Sequence, residues 1–168
     1  MAPHHRIYRI SLVLLLAAVS GCGGNHAQTE LEKGNDFFSR EDYDTAIACY
    51  TEAIRLDPNL ADAYFNRGLA YFQKDESDKA IEDYTEAIRL DPNNAKAYHQ
   101  RGEAYSHKGE YDKAIEDCTE VIRLMPDDAV AYTVRGNAYS KKGDLQKAKA
   151  DFDKAKSLGL DPELYSPQ

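Results

Sequence analysis

Positive charge is in short supply in this chain. Its 168 residues include 21 Lys and Arg against 29 Asp and Glu, a formal net charge of −8. Nucleic acid and anionic bilayers are gripped by clustered basic side chains, so neither is expected as a surface partner. Acids spread over helix faces serve solubility instead. Catalytic signatures are missing too. There is no nucleophile elbow, Walker loop, dinucleotide-binding glycine fingerprint or zinc-protease helix motif. Long apolar runs are also absent. The run from Ile10 to Val19 has ten residues, too few to cross a bilayer as a helix.

What the chain does have is rhythm. Gly34, Gly68, Gly102 and Gly136 are 34 residues apart, and so are Ala46, Ala80, Ala114 and Ala148. A fixed period of this length marks a stacked array in which no unit buries its apolar face alone. Cutting at 27–60, 61–94, 95–128 and 129–162 aligns four units without gaps, leaving residues 163–168 as a tail. The second unit reads Tyr64-x2-Arg67-Gly68-x2-Tyr71, then Ala80-x3-Tyr84, Ala87, Leu90 and Pro92. This pattern resembles the tetratricopeptide repeat (TPR), with Tyr64 in place of the family's Trp and Arg67 in place of its Leu. The resemblance implies an all-α, right-handed solenoid of four helix-turn-helix repeats. It also implies a scaffold that holds partners, with no enzymatic role, no metal and no cofactor.

The periodicity makes local expectations. Apolar residues at helical spacing predict helices at about 61–74 and 77–90 in the second unit. Gly68 and Ala80 are small enough to let the two helices approach closely. Asp57, Asp91 and Met125 each precede a proline, which ends the helix before it. Arg67, Arg101 and Arg135 each have an aspartate sixteen residues later, at Asp83, Asp117 and Asp151, and a structural pair across each hairpin is expected. Cys118 stands where the other units have Tyr50, Tyr84 and Phe152, which reads as core filling. Cys49 and Cys118 are two units apart, so no disulfide between them is expected.

The end units differ from the middle. Ile47, Ile54, Ile81, Ile88, Ile115 and Ile122 form a stripe on the second helices that becomes Lys149 and Lys156 in unit four. On the first helices, Ala63, Ala70, Ala97, Ala104, Ala131 and Ala138 become Thr29 and Asp36 in unit one. Polar ends of this kind cap an array, so four units are expected and no fifth.

In proteins that this pattern resembles, the first helices line a concave peptide-binding groove. Carried over, the groove comprises Leu31, Asn35, Phe38, Phe65, Asn66, Leu69, Phe72, Lys96, His99, Gln100, Glu103, His107, Thr133, Asn137 and Lys141. The first two units supply its apolar half, which predicts a protein or peptide ligand with a hydrophobic anchor. Some such domains clamp a carboxylate with Lys, Asn, Asn, Lys and Arg. Asn35, Asn66 and Lys96 match three of those places, while Leu31 and Gln100 replace the others. Self-association with a second copy in the apolar half is the alternative. A second alternative is a metal-binding or enzymatic protein using His99, Glu103 and His107, which share one side of a helix, although the two histidines would lie about 12 Å apart, too far to share one ion easily.

The start of the chain is a separate signal. Arg6, Arg9 and the apolar run lead to Val19-Ser20-Gly21-Cys22, which resembles a bacterial lipobox. The resemblance implies removal of residues 1–21 and lipid on Cys22, with residues 22–26 as a short linker. Gly23 in place of an aspartate points to the outer membrane, facing the periplasm. The expectation is a lipid-anchored, extracytoplasmic adaptor of the cell envelope.

Overall fold

The computed structural model describes residues 26–161, and the lipobox lies outside them. Eight helices occupy these residues, and no strand is present among them. They are α1 (helical residues 26–39), α2 (Tyr43–Leu56), α3 (Ala61–Gln73), α4 (Ser77–Leu90), α5 (Ala95–His107), α6 (Tyr111–Leu124), α7 (Ala129–Lys142) and α8 (Leu145–Ser157). No helix here is long and apolar enough to cross a membrane.

Each helix from α2 onward touches its neighbours in sequence, and α3–α5 and α5–α7 touch as well. The odd-numbered helices therefore crowd together on the inner side of a curved array. Fully buried alanines make the close approach feasible. Ala63, Ala70, Ala80, Ala97, Ala104, Ala114 and Ala131 are all 0% exposed. Ile47 and Ile54 pack on a cluster containing Ala63 and Ala70, which is the first junction between units.

The turns inside the units are built alike. The amide of Asp42 bonds the Phe37 carbonyl at 3.0 Å, Glu76 bonds Tyr71 at 2.9 Å, Glu110 bonds Tyr105 at 2.8 Å and Asp144 bonds Tyr139 at 2.9 Å. This six-to-one closure needs a left-handed residue. Gly109 and Gly143 supply it, at φ 77° and 84°. Glu41 and Asp75 hold the same place at φ 61° and 60°, which costs each roughly 1 kcal/mol.

The expected arginine–aspartate pairs are present and bidentate. Arg67 reaches Asp83 at 2.8 and 2.7 Å, Arg101 reaches Asp117 at 2.9 and 2.7 Å, and Arg135 reaches Asp151 at 2.8 and 2.8 Å. Each guanidinium lies against the tyrosines of its own helix, including Tyr64, Tyr98 and Tyr132. Each also donates to a threonine of the preceding unit: Thr51 at 3.1 Å, Thr85 at 3.0 Å and Thr119 at 3.1 Å. The arginines thus join units as well as helices. A second ladder, Lys74–Asp44, Lys108–Asp78 and Lys142–Asp112, ties the same junctions at the surface.

Candidate functional site: the concave wall

The wall facing inward is made of α1, α3, α5 and the start of α7. Two adjoining hollows open on it. The first, about 620 Å³, is bordered by Asn35 and Asn66, by Lys96, and by Gln28, Asp62, Asn93 and Asn94. The second, about 450 Å³, is bordered by Phe65, Leu69, Met125 and Val130, with Lys96, His99, Gln100 and Asp128 around it. Phe65, Lys96, Ala95 and Met125 belong to both.

The polar hollow is partly organised in advance. Asn35 Oδ1 accepts from the Tyr50 hydroxyl at 3.0 Å and from Asn66 Nδ2 at 2.9 Å. One unit further on, the same three places are Tyr84, Leu69 and Gln100. Leu69 offers no acceptor, and the Tyr84 hydroxyl is buried without a hydrogen-bond partner. Burial pushes both phenols up, Tyr50 to about 12, so each remains a donor at neutral pH. Leaving a buried hydroxyl unpaired costs about 1–3 kcal/mol. In exchange the second hollow has an apolar floor.

Not every expected groove residue shares these hollows. Leu31 borders the polar hollow but is 4% exposed and packs in the first unit's core with Tyr50 and Ala53. It presents no free apolar surface. Phe38 packs edge-on to Tyr43 in the same cluster, with centroids 5.4 Å apart. Phe72 packs on the Ala80–Tyr84 cluster and meets His107 edge-on at 6.0 Å. Both phenylalanines are half-buried in this inter-helix packing, two turns further along their helices than Leu31 and Phe65, and border neither hollow. Thr133 is fully buried and donates to the Ala129 carbonyl at 3.0 Å. Glu103, His107, Asn137 and Lys141 border neither hollow. His107 Nδ1 lies 3.3 Å from Ser77 Oγ. Among the described residues no group of three or more His, Cys, Asp or Glu is arranged to hold a metal ion.

Met125, Val130 and Asp128 were not expected in the groove. Their signal was visible: Met125 stands where Asp57 and Asp91 precede proline, and Val130 where Asp62 and Lys96 begin their helices. Both departures put apolar atoms on one junction. Asp128 caps α7, accepting from the amides of Val130 and Ala131 at 3.0 Å each. Among the described residues the two cysteines, Cys49 and Cys118, offer no activated thiol. Burial pushes Cys118 up to about 12 and raises Cys49 as well.

Comparison with known proteins agrees with this geometry. The tetratricopeptide repeat profile matches residues 61–94, and related TPR profiles match 34–75, 83–116 and 129–162. The crystal structure of MamA superimposes with a TM-score of 0.78 at 34% identity, covering 80% of this chain and 78% of that one. The second TPR domain of human RPAP3, solved with the HSP70 peptide SGPTIEEVD, gives 0.67 at 34% identity, covering 69% of this chain and 97% of that one. Hsp70-Hsp90 organizing protein 1 of Arabidopsis thaliana is 57% identical over 37 residues, 22% of this chain. That match spans only 6% of the Arabidopsis protein. With profile matches in every unit and the MamA backbone followed over most of both chains, this chain belongs to the tetratricopeptide repeat family.

Proposed function

We propose that this chain is a peptide-binding adaptor whose receptor is the junction of α3, α5 and α7. The observation that carries the reading is the pair of adjoining hollows, one amide-rich with Lys96 beside it, the other floored by Phe65, Leu69, Met125 and Val130. An apolar side chain of an extended segment fits the second hollow. A carboxylate of the same segment fits beside Asn35, Asn66 and Lys96. TPR proteins are typically protein-binding scaffolds, and the RPAP3 domain holds an acidic peptide. On this reading the hydrophobic anchor sits where units two, three and four meet, and Phe38 and Phe72 have no part in it.

We further propose, from the lipobox-like Val19-Ser20-Gly21-Cys22, that the adaptor sits at a bacterial envelope. A lipid on Cys22 would hold the groove near the bilayer, since four residues before the described helix span at most about 14 Å. Two or three acyl chains give stable anchoring where one does not. Mass spectrometry of the membrane-extracted protein tests this: a diacylglyceryl-modified Cys22 at the new amino terminus supports it, and an unmodified Cys22 rejects it.

The peptide SGPTIEEVD, fluorescently tagged, is the test ligand for the groove. Anisotropy should report micromolar or weaker binding, because Leu31 and Gln100 occupy two basic places of a full carboxylate clamp. Leu69→Asn should weaken binding about tenfold while leaving stability unchanged or raised, because the new amide gives Tyr84 an acceptor. Equal binding by wild type and Leu69→Asn would place the ligand elsewhere.

A further inference from the structure

The two ends of the array are complementary to each other, and we infer that copies of this chain associate head to tail, α1 of one copy docking on α8 of the next as a further repeat would. The inference goes beyond the peptide reading and stands whether or not a peptide is bound.

It comes from extending the junction contacts by one period. Inside the chain four kinds of contact join a unit to the next. Isoleucines pack on small residues, as Ile47 and Ile54 do beside Ala63 and Ala70. An arginine donates to a threonine of the preceding unit, as Arg67 does to Thr51. A lysine pairs with an aspartate thirty residues earlier, as Lys74 does with Asp44. An amide bridges position 66 to position 35. Now the first unit of a second copy is set after unit four with the same register. The isoleucine places become Lys149 and Lys156, facing Asp36 and Thr29 of the second copy. The threonine place becomes Asp153, facing Lys33. The aspartate of the lysine ladder becomes Gln146, facing Arg40. The amide bridge becomes Asn137, facing Glu32.

Every one of these facing pairs sets a donor opposite an acceptor, and two set opposite charges opposite where the inner junctions have none. Lys149 meets an acid, and Asp153 meets a base. Polarity alone explains a capped end, but it does not explain matched signs at two faces more than a hundred residues apart in sequence. Asp36, Lys33, Lys149, Asp153 and Lys156 are exposed, and no helix among the described residues covers either face. Among the described residues Asp36 and Lys33 form ion pairs within their own helix, with Arg40 and Glu30. The junction lacks the isoleucine contacts, so it is weaker than those inside the chain and is sensitive to salt, which screens exposed charges beyond about 10 Å at 0.1 M and about 3 Å at 1 M.

A charge exchange tests it by sedimentation velocity of the full chain at low salt, with helical content checked by circular dichroism. Wild type should gain mass with concentration and lose that gain in about 1 M salt. Lys149→Glu with Lys156→Glu should weaken association about tenfold, and Asp36→Lys alone should weaken it similarly. Mixing the two variants restores opposite signs at both junctions, so the mixture should recover wild-type association. Phe65→Ser should leave association unchanged, which separates this contact from a copy seated in the groove. A wild type that stays monomeric overturns the inference. So does a mixture no better than its parts, or a pair of variants that associate like wild type.

Discussion

Arg101→Met should lower stability at neutral pH by about 2–3 kcal/mol and make the loss depend on pH. The pair it breaks is the more enclosed kind: Arg101 is 17% and Asp117 5% exposed in their side chains. Without the guanidinium, Asp117 keeps its charge in a buried place with no cation to answer it. Burial already raises the Asp117 carboxyl above its ordinary 3.8, and Arg101 is what pulls it back down. Removing Arg101 raises it further. A carboxyl whose folded value lies above its unfolded one stabilises the fold when protonated, and loses that contribution as pH rises through the folded value. The penalty of Arg101→Met should therefore be greatest near pH 7 and shrink as pH falls through the raised value toward 3.8. Urea unfolding at a series of pH values checks this. A second variant, Arg101→Met with Asp117→Leu, should recover most of the loss at pH 7, since exchanging both partners for apolar groups leaves no orphaned charge. A pH-independent penalty would mean that the loss comes from packing against Tyr98 and Tyr105 alone.

The second large effect separates glycines that look equivalent in sequence. Gly34→Ala should cost about 2–3 kcal/mol, whereas Gly102→Ala should change stability by less than about 1 kcal/mol. A methyl on Gly34 would lie 2.4 Å from Tyr50 Cε1 and 2.6 Å from Cδ1. Tyr50 is 1% exposed and bonded to Asn35, so its ring has nowhere to retreat. Gly68 and Gly136 meet the rings of Tyr84 and Phe152 in the same manner, at 2.7 and 2.6 Å. At Gly102 the ring is gone. Cys118 replaces it, and the nearest atoms are Asp117 Cβ at 3.3 Å and the Ala114 carbonyl oxygen and Cys118 Sγ, both at 3.5 Å. A shift of a few tenths of an ångström admits the methyl, and alanine's helix preference, worth up to about 1 kcal/mol over glycine, offsets the strain. Thermal melting of the four alanine variants checks the order. Equal losses at all four positions would refute the ring contact as the reason for glycine.

The 34-residue beat made the helices, their partners and the arginine–aspartate pairs legible, because each is a relation between positions inside one unit. Relations with one unexpected member were harder to read. Nothing in Glu41 or Asp75 announces a left-handed backbone; the glycines at 109 and 143 do, once the four places are aligned. The threonines that receive Arg67, Arg101 and Arg135 repeat as faithfully as the aspartates, but a threonine on a helix surface carries no obvious partner. The groove was the least legible part. The first two units' pattern puts its apolar half at Leu31, Phe38, Phe65, Leu69 and Phe72. Packing half-buries Phe38 and Phe72, and the floor joins Phe65 and Leu69 to Met125 at the end of unit three and Val130 at the start of unit four. Which apolar side chains remain open depends on curvature between units, and that is fixed by the alanine contacts rather than by any one unit's pattern.

The account rests most heavily on the α3–α5–α7 junction as the receptor. Amide chemical-shift mapping of the ¹⁵N-labelled protein titrated with SGPTIEEVD tests that directly. The account predicts that saturating shifts gather at Asn66, Leu69, Lys96, His99 and Val130, with α4 and α6 unmoved at Glu86 and Glu120. Shifts confined to the α4 and α6 faces, or no saturable shifts at the junction, would contradict it.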